Sequence, residues 1–254
     1  DNNLYDGEKY NVKVIYLISP FVDKIFEDAI MTIFMNDLKV SQVYMVPQAV
    51  CAAYYLGVDG VLDMGENVSE FSVVKNNSVV FKDRTFLGGS DLTNYLKNCF
   101  EDGEYFKTNS IEEIRKFKEK NIKLALNDEV KSAIEKVKLV VEDDSQHEFS
   151  KELYECSEIF FNPSIINKEE KSISDLLSTP NDKIHKLCVI GGSSNIPNLR
   201  NKIRSDLETH GIEVVNSGDI NIEEINWLGA KKMYNDGLLF HKNENNELKE
   251  WIIV

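Results

Sequence analysis

The sequence predicts an α/β protein, a layered sheet in which buried strands alternate with helices. Two observations carry this. β-branched apolar runs, Val12–Ser19 (VKVIYLIS) and Lys186–Ile190 (KLCVI), are each followed by residues at helical spacing. Glycine pairs, Gly88-Gly89 and Gly191-Gly192, stand just ahead of helical patterns, as they do where a strand turns into a helix.

Taken in order, Val12–Ser19 reads as a strand closed by Pro20. Phe21–Asp37 then reads as a helix whose apolar side carries Ile25, Ile30, Ile33 and Phe34. Ser41–Val46 is a second strand, and the small-residue run Gln48–Leu56 a helix stopped at Gly57. Gly60–Asp63 leads into Glu70–Lys75 and Ser78–Lys82, two strands joined by Asn76-Asn77, a pair tolerant of positive φ and suited to a tight hairpin. A helix capped by Ser90 or Asp91 runs through Leu96 towards Phe100, and another starts at Ser110 with Glu113 completing a capping box. Asp128–Val141 mixes helical and strand signals, and the acidic VEDDSQHE reads as a connection. Tyr154–Phe161 is a short helix ended near Pro163, followed by a helix around Ile173–Leu177. After the Lys186–Ile190 strand come a helix over Ile196–Glu208, a strand at Ile212–Val215 and a helix near Glu223–Tyr234. The tail Gly237–Val254 suits an antiparallel pair across KNENN.

Composition narrows the function classes. The 254 residues are 42% hydrophobic and 28% charged, enough to bury a sizeable core. With 43 Asp and Glu against 29 Lys and Arg, the net charge of -14 repels a phosphodiester backbone, so direct nucleic-acid binding is not expected. No apolar run reaches the roughly 18 residues that cross a bilayer. The four widely spaced cysteines form no C-x-x-C pair and suit buried thiols in a reducing compartment, nuclear or cytoplasmic. The polar start without methionine suggests that further sequence lies upstream.

Three segments carry chemistry. In VLDMGENVS (Val61–Ser69) a strand ends in Asp63 and reaches Gly65. Glycine there lets backbone N–H groups approach phosphate oxygens, and the carboxylate can hold a hydrated divalent cation; an ordinary turn fits the same residues. In VIGGSSNIP (Val189–Pro197) paired glycines precede a helix, so a flat ligand can lie on the backbone near a positive helix end, though steric need alone also explains the pair. In RKFKEK (Arg115–Lys120) Glu119 can accept from ribose hydroxyls and a Lys or Arg stem can cover a purine, while a solvated charged face is the bland alternative.

The order and spacing of these segments resemble the actin superfamily, as a divergent actin-related protein. YMVPQAV, VLDMGENVS, the hairpin and FLGGSDLTNYL are similar to actin's catalytic-glutamine helix, second phosphate loop and start of its fourth subdomain. FKEKNIKLALN (Phe117–Asn127) resembles the ribose-binding helix, ELYECSEIFFNPSI (Glu152–Ile165) the stretch before the third subdomain resumes, and VIGGSSNIP the adenosine loop. Heat-shock chaperone ATPases share the ancestral fold and echo LGGSDLTNYL and VIGGSSNIP, but FKEKNIKLALN and ELYECSEIFFNPSI side with actin. The resemblance implies an actin-like ATPase-domain fold, with ribonuclease H-like sheets and an inserted helical subdomain, N-terminally incomplete. It implies a first-lobe remainder at 1–56, a second-lobe core at 57–86 and 166–225, a mainly helical insert at 87–165 and a return to the first lobe at 226–254.

It also implies roles. Gln48 positions the attacking water, and Asp63 organises the water shell of Mg2+ as the metal contact. Gly65, Glu66, Asn67 and Val68 form the second phosphate loop. Arg115, Lys118 and Glu119 bind the nucleoside, and Gly89, Gly191, Gly192 and Ser193 line the same cleft. The implied cofactor is ATP or ADP with Mg2+, and a glutamine that only orients water implies at most slow hydrolysis.

Four departures from actin matter. No counterpart of the first phosphate loop precedes Asn11. Asn67 replaces a glycine, which predicts crowding or an uncomfortable backbone. Glu223 stands where actin has an adenine-contacting lysine. SIINKEEKS (Ser164–Ser172) is charged where actin carries an apolar loop used between filament strands, and the tail also departs. Filament formation is therefore not expected. The expected role is an ATP-binding structural subunit of a larger assembly, a nuclear chromatin-remodelling or modifying complex, with protein partners that include actin and no membrane. A cytoskeletal ATPase that assembles with or caps filaments, and a nucleotide-free scaffold, are the alternatives. Trp227 and Trp251 are expected in packing, and no histidine in a site.

Overall fold

The computed structural model describes residues 10–99, 111–127, 136–140, 146–178, 184–216, 218 and 220–239. The helix start at Ser110, most of Asp128–Val141, most of VEDDSQHE and the tail beyond Leu239 lie outside them. The chain divides into two compact units. One comprises Asp1–Val61, Ser72–Lys82 and Ser217–Val254, the other Leu62–Phe71 and Asp83–Asn216.

In the first unit, β1 (Tyr10–Ile18) and β2 (Val40–Pro47) pair in parallel, with Val14 opposite Val43 and Leu17 opposite Val46. Between them runs α1 (Lys24–Thr32), which begins at Lys24 because Asp23 accepts the Phe26 amide hydrogen at 2.8 Å. Its continuation Ile33–Asp37 widens to a π turn, closed by the Leu38 N–H on the Ile33 carbonyl at 2.9 Å. The apolar residues fall at helical spacing as expected, but this helix does not bury them. No residue of α1 is buried and Ile25 is 81% exposed. In the π turn Phe34 packs on Tyr16, with ring centroids 5.8 Å apart.

Helix α2 (Gln48–Leu56) occupies the expected residues and ends at Gly57 in the left-handed region. Its run Ala49–Ala53 is entirely buried, because small side chains let α8 (Ile225–Asn235) pack against it through Gly229 and Ala230. A hydrogen bond from Tyr54 to Asp236, 2.5 Å, ties the far ends of the two helices. Trp227 on α8 stands 56% exposed under Lys231, whose ammonium lies 5.1 Å from the ring centroid.

The main sheet has five strands in the order β5-β4-β3-β8-β9: β3 is Gly60–Met64, β4 Ser69–Lys75, β5 Ser78–Thr85, β8 Lys186–Ile190 and β9 Glu213–Val215. β8 and β9 are parallel, Leu187 facing Val214, and α7 (Leu199–Glu208) makes the connection between them. Asn76 and Asn77 both have positive φ, 51° and 58°, as the hairpin reading requires.

The second unit adds α3 (Gly89–Asn98), α4 (Ile111–Asn121), a hairpin of β6 (Val137–Val140) with β7 (Gln146–Phe149), α5 (Glu152–Glu158) and α6 (Ile173–Ser178). Leu92 and Leu96 of α3, Ile114 and Phe117 of α4, and Leu153 and Cys156 of α5 close one core, with the Phe149 ring tilted against Phe117 at 4.9 Å between centroids. Cys156 and Cys188 are buried free thiols pushed up in pKa by that burial, and Cys51 in the first unit is pushed up to about 12.

Since an ordinary side chain at φ near 58° is strained by about 1–2 kcal/mol, Asn77→Val should lower unfolding free energy by that order and Asn77→Gly should not. Denaturant titration of both variants checks this.

Candidate nucleotide-binding surface

The local geometry starts with a strand that runs out. β3 ends at Met64 and β4 begins at Ser69, so the link is short, and it is closed by the Gly65 N–H on the Val68 carbonyl at 3.0 Å. That bond uses the Gly65 amide. The amides of Glu66 and Asn67, at the tip, meet no acceptor among the described residues. Two successive N–H groups at a turn make a concavity suited to an anion. The strain expected at Asn67 is not found: among described non-glycine residues, positive φ is confined to Lys39, Asn76, Asn77, Asn167 and Asn198. Asn67 is exposed.

The carbonyls of Gly65 and Glu66 face inward and are both engaged. The Gly65 carbonyl accepts from the Gly89 N–H at 3.0 Å and the Ser193 hydroxyl at 2.9 Å, and the Glu66 carbonyl accepts from Ser90 N–H at 2.7 Å. The N-terminal amides of α3, which have no helical acceptor of their own, are thus satisfied by the loop. Neither Ser90 nor Asp91 is the cap. Gly88 is, in extended backbone, and Asp91 reaches back from the third helical position to accept its N–H at 3.1 Å. Glycine is required at 88 by proximity, since a Cβ there would overlap the Glu66 carbonyl.

α4 supplies the cations, in a way its charge pattern did not predict. Lys118 is 6% exposed, so it is no part of a solvated face. Its ammonium donates to the Gly89 carbonyl at 2.8 Å and lies 4.0 Å from Glu66 Oε2. Only one of its three N–H donors therefore has an acceptor among the described residues. Burial lowers its pKa, and the Glu66 carboxylate opposes that shift without overcoming it. Arg115, a turn earlier, holds Glu66 Oε1 at 3.0 Å with both side chains 43% exposed, a pair that solvent screens. Glu119 is exposed.

The second glycine pair lies across from Asp63. Gly191 has φ 85°, and a Cβ on it would stand 2.5 Å from Asp63 Oδ1 and 2.5 Å from the Met64 carbonyl. Shape and conformation both demand glycine there. The long helix expected at Ile196 starts at Leu199 instead. A 3-10 turn, Gly192–Asn195, begins at the second glycine, and Asn198 enters the helix with φ 69°. The positive end of α7 is therefore not at the glycine pair, and what the pair presents is backbone. Asp63, Gly65, Glu66, Asn67, Val68, Gly89, Arg115, Lys118, Glu119, Gly191, Gly192 and Ser193 all belong to the second unit. Gln48, the first and half-buried residue of α2, and Glu223, in the turn before α8, belong to the first.

A paired strand-end and double-glycine arrangement of this kind, with a buried lysine from a neighbouring helix, invites comparison with known proteins. A model of the family described as Actin matches residues 20–230. The chain belongs to the actin family. It is similar to actin-related protein 2 of Saccharomyces cerevisiae, at 27% identity over 187 residues, covering 65% of this chain and 48% of that protein. The chain thus spans about half the length of that curated relative. Its mixed α/β architecture is the actin-like one. Within it, sequence reasoning missed two groups. One is Ser69, whose hydroxyl donates to the Leu87 carbonyl at 2.8 Å and links the loop to the approach of α3. The other is Glu66 as counter-ion to two α4 cations, a role visible only once loop and helix meet.

Two outcomes follow from this geometry. Gly88→Ala forces a backbone shift and should cost about 1–3 kcal/mol in denaturant unfolding, more than Gly65→Ala, whose Cβ would stand 3.1 Å from the Val68 carbonyl. For Lys118, the folded pKa is below the unfolded value, so the unfolded chain binds more protons as pH approaches 10.5 from below. Stability should therefore rise with pH in that window, and the rise should be smaller in Lys118→Met, as read from the difference between the two unfolding curves.

Proposed function

We propose that the second unit binds the phosphates and nucleoside of ATP or ADP with Mg2+, and that the protein serves as an ATP-binding structural subunit of a larger assembly. The observation that carries this reading is Lys118, a buried cation with two N–H donors unspent among the described residues, beside Gly89, Glu66 and Ser193. Burying a charge is costly unless it is matched, and an anionic or hydroxyl-rich ligand matches it. The tip amides of Glu66 and Asn67 fit phosphate oxygens, and the glycine surface at Gly191 fits a flat ring. Bound Mg2+ would supply positive charge that neutralises the phosphates. In this proposal the metal role falls to Asp63, acting through water.

In this proposal Arg115 and Glu119 take the nucleoside, Gln48 orients a water, and turnover is slow at most. The domain plan set out from the sequence belongs to the same proposal. So does the setting, a nuclear chromatin-remodelling or modifying complex whose other subunits, actin among them, are the partners; a cytoplasmic location is the other option. The subunit reading is favoured over a filament because three of the four charged side chains of Ser164–Ser172 are engaged within the chain. Lys168, Glu170 and Lys171 all bond to the 83–91 segment.

Calorimetry on the full-length protein tests the nucleotide reading. MgATP should bind at micromolar strength, and Lys118→Met should weaken it by about tenfold, roughly 1.4 kcal/mol. No detectable binding would replace this reading with the nucleotide-free scaffold. A pellet that forms on sedimentation only with MgATP would replace the subunit role with the filament role.

A further inference from the structure

The segment after the 3-10 turn Pro163–Ile166 is not a loose surface loop. Asn167 turns it with φ 55°, and three of the next four side chains then reach one target. Lys168 donates to the Phe86 carbonyl at 2.8 Å and pairs with Asp91 Oδ1 at 2.6 Å. Glu170 Oε2 accepts from the Phe86 N–H at 3.1 Å and the Thr85 hydroxyl at 3.3 Å. Lys171 pairs with Asp83 at 2.6 Å, and its carbonyl accepts from Thr85 at 2.7 Å. The result is a strap across the end of β5 and the start of α3.

Asp91 is where the strap meets the candidate site. Its side chain is 10% exposed, and its two oxygens divide between Lys168 and the Gly88 N–H. The adjacent Gly89 gives its N–H to the Gly65 carbonyl and its own carbonyl to Lys118. Lys168 is thus connected by consecutive bonds to both the loop and the buried cation. A carboxylate this buried needs its counter-charge, and without it the carboxylate turns to water, loosening its hold on Gly88.

We infer that Lys168 is a positioning residue for the nucleotide surface, acting through Asp91 on Gly88-Gly89, so that the Ser164–Lys171 surface and ligand affinity are coupled. The inference rests on the nucleotide reading above for its functional sense. Lys168 is 37% exposed, so whatever binds this surface and draws on its ammonium competes with Asp91 for it.

The test uses the full-length protein, MgATP as probe, and hydrogen exchange in its absence. Lys168→Met should weaken binding about threefold to tenfold, the span usual for residues sharing one network. Lys168→Arg should restore it to within about twofold, because the guanidinium supplies the same charge. In an Asp91→Asn background Lys168→Met should cause no further loss. Without nucleotide, the Gly89 and Ser90 amides should exchange faster in Lys168→Met, while amides of β8 should not change. Wild-type affinity and wild-type exchange in Lys168→Met would overturn the inference. So would full additivity with Asp91→Asn. If the wild type binds no MgATP, the function proposed above fails, and the exchange pattern alone decides whether Lys168 positions Gly89.

Discussion

The start of α3, seated on the carbonyls of Gly65 and Glu66, is the contact on which the rest of the candidate site depends. Helix starts leave N–H groups without partners, and turns leave carbonyls without partners. Here each meets the other's need, at 3.0 Å for Gly89 and 2.7 Å for Ser90. The fit exists because residue 88 has no Cβ to strike the Glu66 carbonyl. Once the carbonyls of the loop point inward, the amides at its tip point outward. The direction in which this turn can bind anything follows from how the helix is docked.

Charge is arranged around that contact with an economy of its own. The chain carries a formal charge of -14, yet a lysine is buried beside the loop. One carboxylate, Glu66, serves both Lys118 and Arg115, and it does so from an exposed loop where water weakens its grip. The buried partner of Lys118 is the Gly89 carbonyl, a dipole fixed by the helix. A neutral anchor inside and a weak anion outside leave the cation held in place without being cancelled.

The sequence made the elements legible wherever local chemistry decided them. Gln48–Leu56 with Gly57, the Asn76-Asn77 turn and the Lys186–Ile190 strand were readable because capping, positive φ and β-branching act within a few residues. The start of α7 at Leu199, not Ile196, was less so, since a 3-10 turn from the second glycine answers to Ser193 and Ser194 bonding back to the Gly65 and Gly191 carbonyls. The first helix carries its expected apolar residues without burying them for a related reason: spacing shows that a face exists, not that something covers it. Lys118 illustrates the limit most clearly. In RKFKEK it looks like its neighbours, and only α3, whose Gly89 carbonyl it meets, distinguishes it. The strap was read as a charged loop from composition, but its partners lie more than seventy positions away in the chain.

The outward tip of the phosphate-loop candidate has a consequence for how such a protein changes over generations. The side chain of Asn67 faces solvent on a backbone held from behind by main-chain bonds, so replacing it leaves the fold's stability nearly untouched. Positions of that kind drift freely, because selection against unfolding does not see them. A lineage can therefore retune what this turn grips, or abandon gripping altogether, while inheriting the architecture intact.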